Sequence, residues 1–269
     1  MKFLPSFDLE QIAYQHINDF NPALQTIIFV HGLGGDPNFN IPLINKILAK
    51  KNKYNIVLYN LRGHGHSSVN FPKSTEFIED CLVKDLHLLI KHLKLNGPIM
   101  IGHSLGGIVI QEYIQRKLEP VPKKVVLICS PTDIFGFNFI RKISYKILSL
   151  LPKPKKQITE KPIKFHLQFS NGYDISIKRL WSDTQIVGGL LRWILITGSV
   201  LGWRNKNLNY LDSKDHHYIY SKKDAIVHAP IQKWKLRKLS SINKILINSN
   251  HICPITNTDG LATIISEII

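Results

Sequence analysis

The chain has 269 residues, 44% of them hydrophobic and 20% charged, enough to bury a substantial core and too apolar for a disordered class. Its 35 basic and 19 acidic side chains leave a net charge of +16, which favours anionic partners through long-range attraction, although the Lys-, Ile- and Asn-rich composition equally fits an A+T-rich genome. No zinc-finger, RNA-recognition or helix-turn-helix pattern accompanies the charge, so nucleic acid is not expected as a partner. The three cysteines, Cys81, Cys129 and Cys253, are odd in number and far apart. That argues against a disulfide framework, and none shows metal-ligand spacing.

Taken in chain order, the N-terminal "MKFLPSFDLEQIAYQ" has one lysine, no continuous apolar run and an acidic residue by Asp8. No signal peptide is expected, and the location predicted is cytoplasmic. Short β-branched runs then recur: "QTIIFV" (25–30), "NIVLYN" (55–60), "PIMIG" (98–102), "KVVLIC" (124–129), "HYIYS" (217–221) and "KILIN" (244–248). Each is nearly continuous in apolar residues, as a strand buried on both faces of a parallel sheet requires. Between them "IPLINKILAK", "FIEDCLVKDLHLLIKHL" and "GIVIQEYIQRKL" repeat apolar residues at three- and four-residue spacing, the mark of amphipathic helices. The alternation predicts a mostly parallel, doubly wound α/β sheet.

One interval breaks that rhythm. More than eighty residues separate Cys129 from His217, far more than one crossover needs. The reading is a helical cap over residues 133–212 inserted into a core formed by 1–132 and 213–269. Helical, aromatic-bearing stretches are expected around 140–151 and 175–203. The apolar run "IVGGLLRWILITGSVLGW" (186–203) is long enough to consider as a membrane span, but Arg192 and four glycines interrupt it. A helix facing an apolar pocket or a membrane surface is the preferred reading, with membrane association at most peripheral.

The chemistry centres on "GPIMIGHSLGGIVI" (97–110), where Gly102, Gly106 and Gly107 surround Ser104 between a predicted strand and a predicted helix. Such a turn is too tight for Cβ atoms near the serine, and it lifts the hydroxyl out at the carboxyl end of the strand. A serine hydroxyl is a poor nucleophile without a base. His103 is adjacent but expected to point away across the turn. His251, after the last strand in "KILINSNHICPI", lies at the sheet edge where active sites of open α/β sheets gather. His31, His216 and His217 are weaker candidates. For the carboxylate that orients the base, Asp224 in "YIYSKKDAIVH" follows the preceding strand at the same edge. Asp133 in "CSPTD" is the rival, whereas Asp212 and Asp215 precede their strand. "TIIFV" runs directly into the glycine-rich His31-Gly32-Leu33-Gly34-Gly35, so the backbone N–H groups of Leu33 and Leu105 are the expected donors to an oxyanion.

With these pieces in place the chain resembles the α/β-hydrolase superfamily, from about residue 10 to the C-terminus with the cap divergent. The resemblance is carried by Gly102–Gly107, by "HGLGG" (31–35), by "NLRGHGHSS" (60–68) and by Asp85 in "LVKDLHLLI". Asn60 stands where relatives usually have aspartate, and His228 where they often have proline. Within 62–66 the expected roles are structural. The resemblance implies a serine hydrolase of carboxylic esters without metal or organic cofactor. Ser104 is the expected nucleophile, His251 the base and Asp224 its orienting acid. The apolar stretch 181–203 suggests an acyl pocket and so a carboxylesterase- or lipase-like enzyme on a small-molecule or lipidic ester. Two alternatives stay open. One is a carrier-protein methyl ester esterase or thioesterase, with Arg141, Lys142, Lys153, Lys155 and Lys156 docking an acidic acyl carrier protein. The other is a non-catalytic ligand-binding protein on the same fold.

Overall fold

The computed structural model describes residues 1–35, 37–51, 53–152, 189–205 and 207–269. Apolar runs of five or six residues become strands because each can be buried on both sides. In β3 (Gln25–Val30), Ile27 and Phe29 join the apolar cluster on one face, while Ile28 and Val30 join that on the other. This is the period-two alternation of a pleated strand. The other strands are β1 (Lys2–Pro5), β2 (Gln11–His16), β4 (Tyr54–Tyr59), β5 (Ile99–His103), β6 (Lys124–Ile128), β7 (His216–Ser221) and β8 (Asn243–Ile247). They form an eight-stranded sheet in the order β1-β2-β4-β3-β5-β6-β7-β8. From β4 to β8 every neighbouring pair is parallel.

The six expected strands are present within a residue or two of their predicted ends. The N-terminal pair β1 and β2, which the search for continuous apolar runs passed over, adds on antiparallel at the β4 edge. Their signal is weaker because an edge ribbon buries fewer positions: only Leu4 of β1 is buried. Arg62 anchors this ribbon. Its guanidinium is wholly buried and donates to Asp85 at 2.9 Å, to Asp8 at 2.8 Å and to Ser6 at 2.8 Å. Arg62 and Asp85, each singled out separately in the sequence, thus form a buried structural ion pair.

Helices cover both faces. α1 (Ile41–Lys50) and the C-terminal helix α8 (Thr258–Ile268) bury Leu43, Ile44, Ile47, Leu261 and Ile265 on one side. On the other side, α2 (Ile78–His92) and α3 (Leu105–Gln115) bury Leu82, Leu86, Ile108 and Val109. The sheet is doubly wound. Between β6 and β7 lie α4 (Asn138–Leu150) and α5 (Gly189–Val200), which pack against each other. Tyr145, Leu148, Leu195, Ile196 and Trp203 join the same cluster as α2 and α3, so these helices share the core of one sheet face. Trp203 Nε1–H donates to Glu112 at 2.7 Å across that junction.

α5 has 12 residues, about 18 Å at the helical rise and well short of a bilayer's apolar thickness. No helix among the described residues is long and apolar enough to cross a membrane. Arg192 interrupts this stretch because it turns inward, donating to the carbonyls of Val69 at 2.7 Å and Pro152 at 2.6 Å. The short helices α6 (Ala229–Lys235) and α7 (Cys253–Thr256) follow β7 and β8 at the carboxyl edge of the sheet.

Candidate active site

β5 ends in a turn that no ordinary backbone adopts. Ser104 has φ 52° and ψ −116°, a sparsely populated conformation for a side-chain-bearing residue, and its N–H donates to the Ile128 carbonyl at 3.0 Å. Such strain costs about 1–3 kcal/mol and persists only where the surroundings enforce it. The glycines are what make the turn possible. A Cβ on Gly102 would stand 2.7 Å from the Gly106 carbonyl, and one on Gly106 would overlap the Val30 carbonyl outright. A Cβ on Gly107 would collide with Ser130. The chain surrounds a single hydroxyl with glycines because helix α3 is pressed directly onto β3, β5 and the end of β6.

Ser104, Asp224 and His251 are brought together although 147 residues separate the serine from the histidine. Asp224 sits in the turn that closes β7. Its Oδ1 accepts from the N–H of Ile226 at 2.9 Å and of Val227 at 2.7 Å, leaving Oδ2 to accept from His251 Nδ1 at 2.8 Å. The opposite ring nitrogen, Nε2, faces Ser104 Oγ at 3.0 Å, placed to accept the hydroxyl proton. Burial alone would raise the Asp224 pKa. The His251 hydrogen bond and charge, with the two backbone donors, outweigh burial and hold it below the usual carboxylate range. The acid is therefore ionised at neutral pH, as orienting the Nδ1–H tautomer requires. His103 contributes in a way its sequence position did not suggest. Its Nε2 bonds the His251 carbonyl at 2.8 Å, and desolvation pushes its pKa down to about 3. A neutral ring thus tethers the backbone of the neighbouring histidine.

Leu33 and Leu105 line the cavity beside Ser104. Leu105 opens helix α3, so its N–H is among those without an intrahelical acceptor. The loop carrying Leu33 is latched by two buried histidines. His31 bonds the Gly32 carbonyl through Nδ1 at 2.9 Å and receives the Leu61 N–H on Nε2 at 3.0 Å. His64 receives the Gly34 N–H on Nε2 at 3.0 Å and bonds the Arg62 carbonyl through Nδ1 at 3.1 Å. Burial, reinforced for His31 by the neighbouring His64, pushes their pKa values down to about 3 and about 4. Both must be neutral, since each uses one ring nitrogen as an acceptor. His64 thus holds the loop, in line with the structural role expected within 62–66, and His31, a weaker candidate for the base, is engaged in the same latch.

The serine opens into a cavity of about 650 Å³, well inside the range of small-ligand sites. Its walls are largely apolar: Leu105 and Ile108 from α3, Val200 from α5, and Ile226, Val227 and Ile231 beyond β7. Of the stretch 181–203, the residues up to 188 lie outside the described residues, while Thr197, Val200 and Leu201 do line the cavity. The apolar residues of 226–231 were overlooked in the sequence, where only Asp224 just before them and His228 were remarked on. The alternation of Ile226, Val227, Ala229 and Ile231 just past a strand end was the available signal.

The remaining candidates fall elsewhere. Asp133 lines the same cavity but is paired with Lys235, while the His251 Nδ1 partner is Asp224. Asp212 accepts the N–H of Ser241 at 2.6 Å, and His216 Nδ1 bonds the Leu211 carbonyl at 3.1 Å. In the basic cluster considered for a carrier protein, Arg141 is buried against Glu79 and Lys142 pairs with Glu76. Lys153, Lys155 and Lys156 lie outside the described residues. All three cysteines are free and buried, with Cys129 Sγ 3.6 Å from Cys253 Sγ. Cys129, Asp224 and His251 place donor atoms within 4.8 Å of one another, but the mutual hydrogen bond of Asp224 and His251 uses the atoms a metal ion would need.

The comparisons with known proteins agree with this architecture. A family model for the alpha/beta hydrolase fold matches residues 25–173. An uncharacterized hydrolase of Bacillus subtilis, YugF, is 33% identical over 138 residues, covering 46% of this chain and 46% of the relative. The sn-1-specific diacylglycerol lipase ABHD11 of Mus musculus is 29% identical over 114 residues, covering 42% of this chain and 35% of the relative. The chain thus matches half or less of the length of these curated relatives. Among solved structures, a hydrolase from Pseudomonas aeruginosa superimposes with a TM-score of 0.71 at 14% identity, covering 99% of this chain and 97% of the other. The match over more than half the sequence, the doubly wound sheet and the strained serine turn lead to one assignment: the chain belongs to the α/β-hydrolase fold family.

Proposed function

We propose that this protein is a serine ester hydrolase working through an acyl-enzyme intermediate, with an apolar acyl pocket of the carboxylesterase or lipase type. The observation that carries the reading is the relay from Asp224 through His251 to Ser104 at 2.8 and 3.0 Å, opening into an apolar-walled cavity. Relatives named as hydrolase and lipase support ester chemistry. In this reading His251 takes the Ser104 proton as the oxygen attacks the ester carbonyl, and Asp224 stabilises the imidazolium that forms. The N–H groups of Leu33 and Leu105 receive the negative oxygen. His251 then protonates the departing alcohol, a water activated by the same nitrogen attacks the acyl-enzyme, and the free acid leaves. The apolar walls hold the acyl chain, so turnover should rise with chain length until the cavity is filled.

The test is fluorophosphonate labelling of wild type, Ser104→Ala and His251→Ala, run beside nitrophenyl esters of increasing acyl length. Labelling confined to proteins that retain Ser104, with an optimum at medium or longer chains, is the expected result. A folded wild type that neither labels nor turns over any ester overturns the reading and favours a ligand-binding protein.

A further inference from the structure

The mouth of the Ser104 cavity is bordered by apolar side chains that face water. Phe135 and Ile226 line the cavity and are 86% and 59% exposed. From Phe135 the border continues through Phe137 and Phe139, with ring centroids 6.3 and 5.8 Å apart in succession. Gly136 packs against Gly202, which brings this aromatic run beside the exposed Leu201 at the end of α5. Exposed Ile231 of α6 also lines the cavity, and exposed Trp234, with the Arg237 guanidinium 4.2 Å over its ring, follows on the same helix. Single exposed apolar residues are ordinary, but a cluster of them at and beside one cavity marks an interaction site.

Basic side chains accompany these apolar ones. Lys222 and Lys223 follow β7 at the same edge, Lys233 lies on α6 and Arg204 on the cavity wall, all exposed. The carboxylate on the cavity wall, Asp133, is already paired with Lys235. Exposed apolar side chains accompanied by cations match a bilayer, whose apolar interior lies beneath anionic headgroups. It does not match an acidic protein surface, which would leave the aromatic border without an apolar partner.

We propose that this edge of the sheet is a docking face for an anionic lipid surface. The inference rests on the ester-hydrolase reading and extends it by naming the bilayer as the source of substrate. Phe137, Phe139 and Trp234 enter the headgroup region, the lysines remain among the phosphates, and an acyl chain passes into the cavity without crossing water.

The experiment is flotation of the full chain with vesicles of phosphatidylcholine alone or mixed with phosphatidylglycerol. Wild type should float with the mixed vesicles, less so with phosphatidylcholine alone and less at high salt. Phe137→Asp with Phe139→Asp should weaken vesicle binding by about tenfold or more, while hydrolysis of a water-soluble short-chain ester stays at the wild-type rate. Val121→Asp, an exposed position in the loop entering β6 at the opposite edge, should bind as wild type. The proposal is overturned if wild type does not float with anionic vesicles, or if the double variant floats undiminished. It is also overturned if that variant instead abolishes a wild-type dimer and vesicles bind neither form. Fluorophosphonate labelling of the same preparations separates the two ideas. A protein that labels but does not float loses only the docking face, and one that floats but never labels loses only the hydrolase reading.

Discussion

Replacing Asp224 by asparagine tests the site with the least disturbance to its frame. The carboxamide oxygen can keep accepting from the N–H of Ile226 and Val227, at 2.9 and 2.7 Å. That leaves the amide –NH2 where Oδ2 now accepts from His251 Nδ1. Two donors cannot face each other, so the imidazole moves its proton to Nε2 and presents a hydrogen to Ser104 Oγ instead of a lone pair. The serine then has no base. By analogy with the same substitution in other Ser-His-Asp sites, kcat should fall about 10⁴-fold, or about 5 kcal/mol in the barrier. Because the backbone donors keep their acceptor, the melting temperature should change little. The assay is kcat and kcat/KM on a nitrophenyl ester beside a thermal melt, with Asp133→Asn as comparator and expected to lose less than about tenfold. A folded Asp224→Asn enzyme retaining a tenth or more of wild-type kcat refutes the reasoning. A larger loss in Asp133→Asn would transfer the acid role to that residue.

Further outcomes follow from the same geometry. His64→Ala removes the acceptor for the Gly34 N–H and loosens the Leu33 loop. The expected loss is about tenfold in kcat with little change in KM, since outright removal of an oxyanion donor costs about 10²–10³; an unchanged kcat would separate His64 from the loop's function. Acid should destabilise the fold through His31 and His64, whose pKa values lie at about 3 and about 4 when folded. The unfolded chain, titrating near 6.5, binds the extra protons. Stability is therefore complete above about pH 6.5 and is lost as pH falls toward about 4 for His64 and about 3 for His31, ultimately on the order of 3–5 kcal/mol per histidine. Melts between pH 8 and 4.5 should show that slope, and it should be shallower in His64→Gln. Gly106→Ala forces a methyl group into the Val30 carbonyl, so folded protein should not accumulate; a soluble variant with a near-wild-type melt would mean that α3 can shift away from β3.

Much of this was readable from residue order alone. The six parallel strands announce themselves because a strand buried on both faces must be apolar at nearly every position, and the glycines around Ser104 announce a turn with no room for Cβ. Ser104, Asp224 and His251 could be placed at one edge because each follows a strand of the same parallel sheet. The ribbon β1–β2 was not legible, since its apolar runs are short and its pairing with β4 is non-local. Nor was the role of His103, which depends on a carbonyl 148 residues away.

What the sequence by itself determined is which residue types stand at strand ends, because periodicity and turn chemistry are local. Only the tertiary structure decided how those ends converge: which aspartate reaches His251, that Arg141 turns inward to Glu79, and that exposed Phe135 meets Ile226 and Ile231 around one cavity. Those outcomes depend on packing between segments distant in the chain, where a displacement of a few ångströms makes or breaks a hydrogen bond and no local pattern records it.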